Sequence, residues 1–350
     1  ALFLGNTWQF ITPNPLTIYV SANTYMPYHF ATTLHDIVPP TIVDNQSGDD
    51  VWRSSNTAYY NIDASDDGGS HLKYIQTLIY TGPNKTGTLV EDWTNQVSTS
   101  GVDFYTVDWK ITDATFDKLI NGINYVSVRA VDGSGNISEV ITDAFYIKKD
   151  TVPPSVPSIL SPVNYSTFNY LNISFNWSSS NDNASGVKGY DIIVSTYSDF
   201  SYVFISSSTS LTSINLTMPG EGRYYWKLRS FDNAFNYSDY TSTYTLFIDT
   251  TPPLIDDQQS GDDIWRSSNS GVYSVFFNDS GGSYLSKFQV KATTGPTQTG
   301  TVLFDWTDLV TGINSNSYTT PWSITDALWN LLQNGTNYIS IRVYDNAGNY

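Results

Sequence analysis

Residues 125–136 read YVSVRAVDGSGN, and this stretch decides the fold. Val126, Val128 and Ala130 alternate with Tyr125, Ser127 and Arg129, which puts one set on each face of an extended strand. The DGSGN that follows is a turn, because Asp and Asn accept local backbone bonds and Gly supplies positive φ. The same strand and turn recur as YWKLRSFDNAFN at 225–236 and YISIRVYDNAGN at 338–349. Trp226 with Leu228, and Ile339 with Ile341 and Val343, repeat the inward set. Phe235 departs from the pattern by standing where the other turns have Gly. Three copies of one strand in 350 residues predict three modules, each about the size of a seven-stranded β-sandwich of roughly 100 residues.

The junctions agree. D-x-x-P-P occurs at Asp36–Pro40, Asp150–Pro154 and Asp249–Pro253. Paired prolines deny backbone donors and favour extended geometry, which suits short, semi-rigid linkers. Two of the modules are copies: residues 39–137 align without a gap to 252–350, with 48 of 99 positions identical. One opens PPTIVDNQSGDDVWRSSN and the other PPLIDDQQSGDDIWRSSN. The first copy runs on through the strand-like SEVITDAFYIKKDT, whereas the second reaches Tyr350 without such a segment, so it is expected to lack its last strand. The chain therefore divides into an N-terminal extension (1–38), a first sandwich (39–151), a central sandwich of another subtype (152–250) and a third that repeats the first (251–350). In the central one, NISFNW at 172–177 directs Ile173, Phe175 and Trp177 inward. The ITDA segments at 111–114 and 324–327 precede one short helical turn each. The extension holds two candidate strands, TIYVS at 17–21 and FATTLH at 30–35.

Composition supports an all-β class, since Tyr, Phe, Trp, Thr, Val and Ile are plentiful and Met is limited to two residues. Only 14% of residues are charged, against about a quarter in an average protein. The surface is thus built of Ser, Thr, Asn and Tyr, an extracellular style. A net charge of −17 argues against nucleic-acid partners and anionic membrane surfaces. Without cysteine, disulfides and thiolate metal sites are excluded. No run approaches the ~20 apolar residues of a membrane helix, so no membrane insertion is expected.

Catalytic signals are weak. His29, His35 and His71 are scattered and join no nucleophile motif. Paired acids recur in the GDD of both copies and read first as a turn before a strand. A minority reading is calcium, with Asp44, Asp49 and Asp50, and their equivalents Asp257, Asp262 and Asp263, as ligands. No other cofactor is expected. Eleven N-x-S/T sequons include Asn136, Asn172, Asn176, Asn236 and Asn334 as candidate glycosylation sites. Trp8, Trp52 and Trp265 could stack on surface glycans, though the recurrence of Trp52 and Trp265 favours core packing.

With its inward Trp177 and Tyr-rich late strand at Tyr224, Tyr225 and Trp226, the central module resembles fibronectin type III modules. The flanking copies, with D-x-x-P-P, SGDD-x-W and D-N-A-G-N, resemble the tandem immunoglobulin-like repeats of large bacterial surface proteins. The resemblance covers about 310 of the 350 residues and implies extracellular, non-catalytic modules. Sandwiches of this kind host many roles, so it says little about function.

The expected function is structural, a subunit of an extracellular filament or surface assembly. A module short of one strand exposes a sheet edge that another chain can complete. The donor is expected within 17–36, with Thr17, Ile18, Tyr19, Val20, Phe30 and Leu34 as contact residues, giving a head-to-tail homopolymer. The alternatives are a stalk or adhesin segment of a longer surface protein, and a non-catalytic module of a secreted polysaccharide-degrading enzyme.

Overall fold

A computed structural model of the chain describes residues 2–4, 7–9, 35–46, 50–259 and 264–350. Leu2–Leu4 and Thr7–Gln9 form an antiparallel pair. The expected strands at 17–21 and 30–35, and with them Thr17, Ile18, Tyr19, Val20, Phe30 and Leu34, lie outside the described residues. Among the described residues no helix is long and apolar enough to cross a membrane.

Each module is two sheets closed on an apolar core. In the first, Thr41–Asp44, Ile62–Ser65 and Phe104–Tyr105 form one sheet. The other runs Trp52–Arg53, Ile141–Lys149, Gly122–Asp132, Leu72–Gly82 and Thr86–Val102 in spatial order. The alternation read at 125–132 holds: Val126, Val128 and Ala130 are fully buried. They share this core with Ile75 and Phe145 from the neighbouring strands of their own sheet, with Ile62 from the facing sheet, and with Trp109. Trp109 can enter this core because its Nε1 donates to the Ile62 carbonyl at 3.1 Å, so its polar atom is satisfied. The helical turn Asp113–Lys118 starts at Thr112, whose side chain accepts from the Thr115 N–H as an N-cap should.

The central module pairs Ile159–Ser161, Asn172–Trp177 and Ser213–Thr217 in one sheet. Five strands, Ser166–Phe168, Tyr244–Ile248, Gly222–Asp232, Val187–Ser195 and Val203–Thr209, make the other. Ile173, Phe175, Trp177, Trp226 and Leu228 all point into its core, as their spacing requires. Phe175 and Trp226 meet edge to face at 4.7 Å between ring centres. Tyr224 Oη donates to the Gly220 carbonyl at 2.7 Å, pinning the corner before its own strand.

The third module repeats the first with one difference. Val302–Ser315, Leu285–Thr293 and Tyr338–Asp345 form a sheet of three strands, not five. In the first module Gly122–Asp132 is flanked on its far side by Ile141–Lys149. Among the described residues nothing pairs with the corresponding side of Tyr338–Asp345. The side chains register this: Val126 and Val128 are fully buried, while their equivalents Ile339 and Ile341 are only half-buried.

The expectation of core packing for Trp52 and Trp265 is corrected here. Trp52 is half-buried because its strand pairs in parallel with Ile141–Lys149, and Lys148 Nζ lies 5.7 Å from its ring centre. Trp265, beside which no such strand lies among the described residues, is 84% exposed. The duplicated core tryptophans are Trp109 and Trp322, the latter donating to the Val275 carbonyl at 3.1 Å.

Burial predicts unequal costs at equivalent positions. Val128→Ala should destabilise the first module by about 2 kcal/mol, whereas Ile341→Ala, which removes more carbon from a wetter site, should cost no more than that. Thermal unfolding of the two variants followed by tryptophan fluorescence checks the order.

Candidate metal centres

The linker aspartates are fixed in the same way three times. Asp36, Asp150 and Asp249 each accept, through Oδ1, the N–H two residues on: Val38 at 2.9 Å, Val152 at 3.0 Å and Thr251 at 3.1 Å. Two prolines follow each of these Asx turns, the first exposed and the second buried. The other carboxylate oxygen reaches into the next module. Asp36 Oδ2 accepts the Ser70 N–H at 3.1 Å, Asp150 Oδ2 that of Ser185 at 3.0 Å, and Asp249 Oδ2 that of Ser283 at 2.9 Å.

Two further aspartates meet each linker residue. One ends the recurrent strand. Asp132, Asp232 and Asp345 each accept the backbone N–H and the side-chain N–H of the Asn four residues later, at 2.7–2.9 Å. That Asn then donates to the carbonyl of the linker aspartate: Asn136 to Asp36 at 3.1 Å, Asn236 to Asp150 at 3.0 Å, Asn349 to Asp249 at 2.8 Å. The other opens a small-residue loop, DDGGS at 66–70, DNASG at 182–186 and DSGGS at 279–283. Asp66, Asp182 and Asp279 accept the N–H two residues on. In each junction the three carboxylates offer oxygens within 4.8 Å of one another: Asp36, Asp66 and Asp132; Asp150, Asp182 and Asp232; Asp249, Asp279 and Asp345.

Close approach dictates the loop composition. A Cβ on Gly68 would stand 2.1 Å from Asp36 Oδ1, and one on Gly281 1.8 Å from Asp249 Oδ1. The turn tolerates more. Gly135 and Gly348 have φ of 91° and 93°, and Phe235 takes φ 63° in the same place. That strained backbone is accompanied by Lys188 Nζ 3.8 Å from the Phe235 ring centre, and the Asn236 bonds are unaltered.

Hydrogen bonds from Ser70 and from the Val38 N–H hold the Asp36 carboxyl below its ordinary value, but the nine groups as a set are poorly compensated. Eight of the nine are buried, Asp182 being half-buried. No ion pair among the described residues involves any of them. Burial, with the neighbouring Asp150, pushes the Asp232 carboxyl above its ordinary value, and burial with the Asp249 charge does the same for Asp279 and Asp345.

Of the ligands expected around the GDD segments, Asp44, Asp50 and Asp257 are among the described residues, and none of them joins a cluster of acids. Asp44 and Asp257 are exposed and cap local turns, accepting from Gln46 and Gln259 at 2.9 Å each. Asp50 is bound by Lys148 and by Tyr146 Oη on the last strand of its module, and the Lys148 charge and bond hold its carboxyl below the usual range. Asp49, Asp262 and Asp263 lie outside the described residues. Two glycosylation candidates are likewise corrected, since the Nδ2 atoms of Asn136 and Asn236 are committed to the junctions. Asn172 and Asn334 are exposed, and Asn176 is half-buried with its Nδ2 on Ser161 Oγ at 2.8 Å. His71 pairs with Asp103 at 2.5 Å and belongs to none of the three clusters.

The raised carboxyl of Asp279 gives a signed pH dependence. A folded value above the unfolded one favours the native state while the group is protonated, and that benefit is lost as pH rises through the folded value. Asp279→Asn keeps the acceptor for Gly281 and removes the charge. In chelator, its melting temperature relative to the parent chain should therefore rise between pH 4 and pH 7; an unchanged difference would show that Asp279 titrates normally.

No protein-family profile matches the chain. Over 175 residues, 45% of this chain, it is 32% identical to exoglucanase B of Cellulomonas fimi, of which it spans 15%. Among solved structures it is similar to fibronectin(III)-like modules of Clostridium thermocellum CbhA, at 15% identity and a TM-score of 0.29, covering 59% of this chain and 93% of that one. It is also similar to domains FN1–FN3 of chicken CNTN1, at 13% identity and a TM-score of 0.31, covering 89% and 94%. The paired sheets, their cores and their connections make the chain a tandem array of immunoglobulin-like and fibronectin type III-like β-sandwich modules.

Proposed function

We propose that the chain is a non-catalytic spacer of an extracellular protein, holding the parts attached to it at a set separation. The observation that carries this reading is the identical fastening of all three junctions, in which an Asn side chain of one module bonds the linker carbonyl that precedes it. A catalytic module has no need of such repetition, whereas a spacer is defined by it. The similarity to a 15% portion of a much longer exoglucanase supports a modular segment and transfers no activity to it. The surface, rich in Ser, Thr and Asn with only 14% of residues charged, supports an extracellular setting.

One observation favours a second reading. Among the described residues nothing pairs with the outer side of Tyr338–Asp345, whose Ile339 and Ile341 are half-buried. A strand donated by a second copy, from 17–36, would complete that sheet and produce a filament.

Small-angle X-ray scattering across a concentration series separates the two. A spacer gives an extended particle of constant mass and constant longest dimension. Mass that grows with concentration, and stops growing when residues 1–36 are deleted, supports the filament. A compact particle, with the modules folded onto one another, would sink the spacer reading.

A further inference from the structure

We propose that each of the three junctions binds one calcium ion, held by Asp36, Asp66 and Asp132, by Asp150, Asp182 and Asp232, and by Asp249, Asp279 and Asp345. The clustering of acids is one observation. A second is independent of it. Asp66 Oδ2 and Asp279 Oδ2 are buried without any hydrogen-bond partner, in residues only 1% and 3% exposed. A buried carboxylate oxygen left unpaired costs the full desolvation of that charge. Each lies in a cluster whose other two carboxylates cannot donate to it once ionised. The hydroxyls of Ser185 and Ser283, residues whose N–H groups bind the linker carboxylates, are also buried without partners, so with Asp66 Oδ2 unspent oxygens recur in all three junctions.

The donor chemistry selects the ion. All nine ligands are carboxylate oxygens, with no imidazole or thiolate among them, which disfavours zinc and copper and suits a hard cation. Calcium takes six to eight oxygens at about 2.3–2.6 Å in flexible geometry, and three carboxylates with water meet that need. Magnesium demands a tighter octahedron and gives up its water reluctantly. A divalent ion also brings the charge that the described residues do not supply.

The position of each site has a consequence for the array. One carboxylate comes from the linker and two from the module that follows it, so bound calcium fastens the linker to that module. The sites stand whether the chain is a spacer or a filament subunit.

The test is titration of the full chain, stripped with chelator, by isothermal titration calorimetry with calcium chloride, beside thermal unfolding in chelator, calcium and magnesium. Three calcium ions per chain are expected, with affinity in the ~0.1–1 mM range of extracellular modules. Millimolar calcium should raise the melting temperature by roughly 5 °C or more, and magnesium by clearly less. Asp279→Asn should bind two ions, melt no lower than the parent in chelator, and melt lower than it in calcium. Gly281→Ala, which leaves every ligand in place but drives a Cβ against Asp249, should also bind two. No binding and no shift at millimolar calcium would overturn the proposal. So would equal shifts with magnesium, or three ions still bound by Asp279→Asn.

Discussion

Three carboxylates held within 4.8 Å of one another, eight of the nine buried, are the constraint on which each junction depends. Like charges so close repel, and burial strengthens the repulsion. The local sequence is what keeps them there. Asx turns fix each linker aspartate on its own chain. The turn asparagines hold the second aspartate with two bonds and spend a third on the linker. Small loops admit the approach, as the 1.8 Å clash of a Cβ at Gly281 shows. A bound cation would complete the balance that these bonds leave open.

Much of the fold is legible in the sequence. The inward sets at 126–130, 173–177 and 226–228 are buried as alternation requires, because a strand with one face on a core has no register to choose other than the one that hides its apolar residues. The three aspartates of the D-x-x-P-P junctions and the three of the recurrent turns were in plain view, but each motif has an ordinary explanation, linker in one case and turn in the other. What could not be read was their meeting. Asp36 and Asp132 are 96 positions apart, and only folding brings them together. The GDD segments show the opposite case: adjacent acids look like a ligand set, yet of those described Asp50 is bound by Lys148 and Asp44 faces solvent.

Identical sequence does not guarantee identical surroundings. The W-R-S-S-N segment occurs in both copies, but Trp52 lies under Lys148 whereas Trp265 is largely bare, because the element beside it differs. The half-burial of Ile339 and Ile341 has the same origin. Local propensity sets the strand, and the neighbour sets how much water it sees.

The junctions also define what can be exchanged. The first and third modules present the same socket of Asp, Gly, Ser and Asn, yet they receive plugs from unrelated predecessors, the N-terminal extension in one case and the central sandwich in the other. The central sandwich, with a different core, carries an equivalent socket and ends in an equivalent plug. Any module that begins and ends this way can be spliced between two others without redesign of either face. The natural unit of recombination in such a chain is therefore marked by the D-x-x-P-P boundary, and its cores are free to drift apart while the fittings at their ends stay fixed.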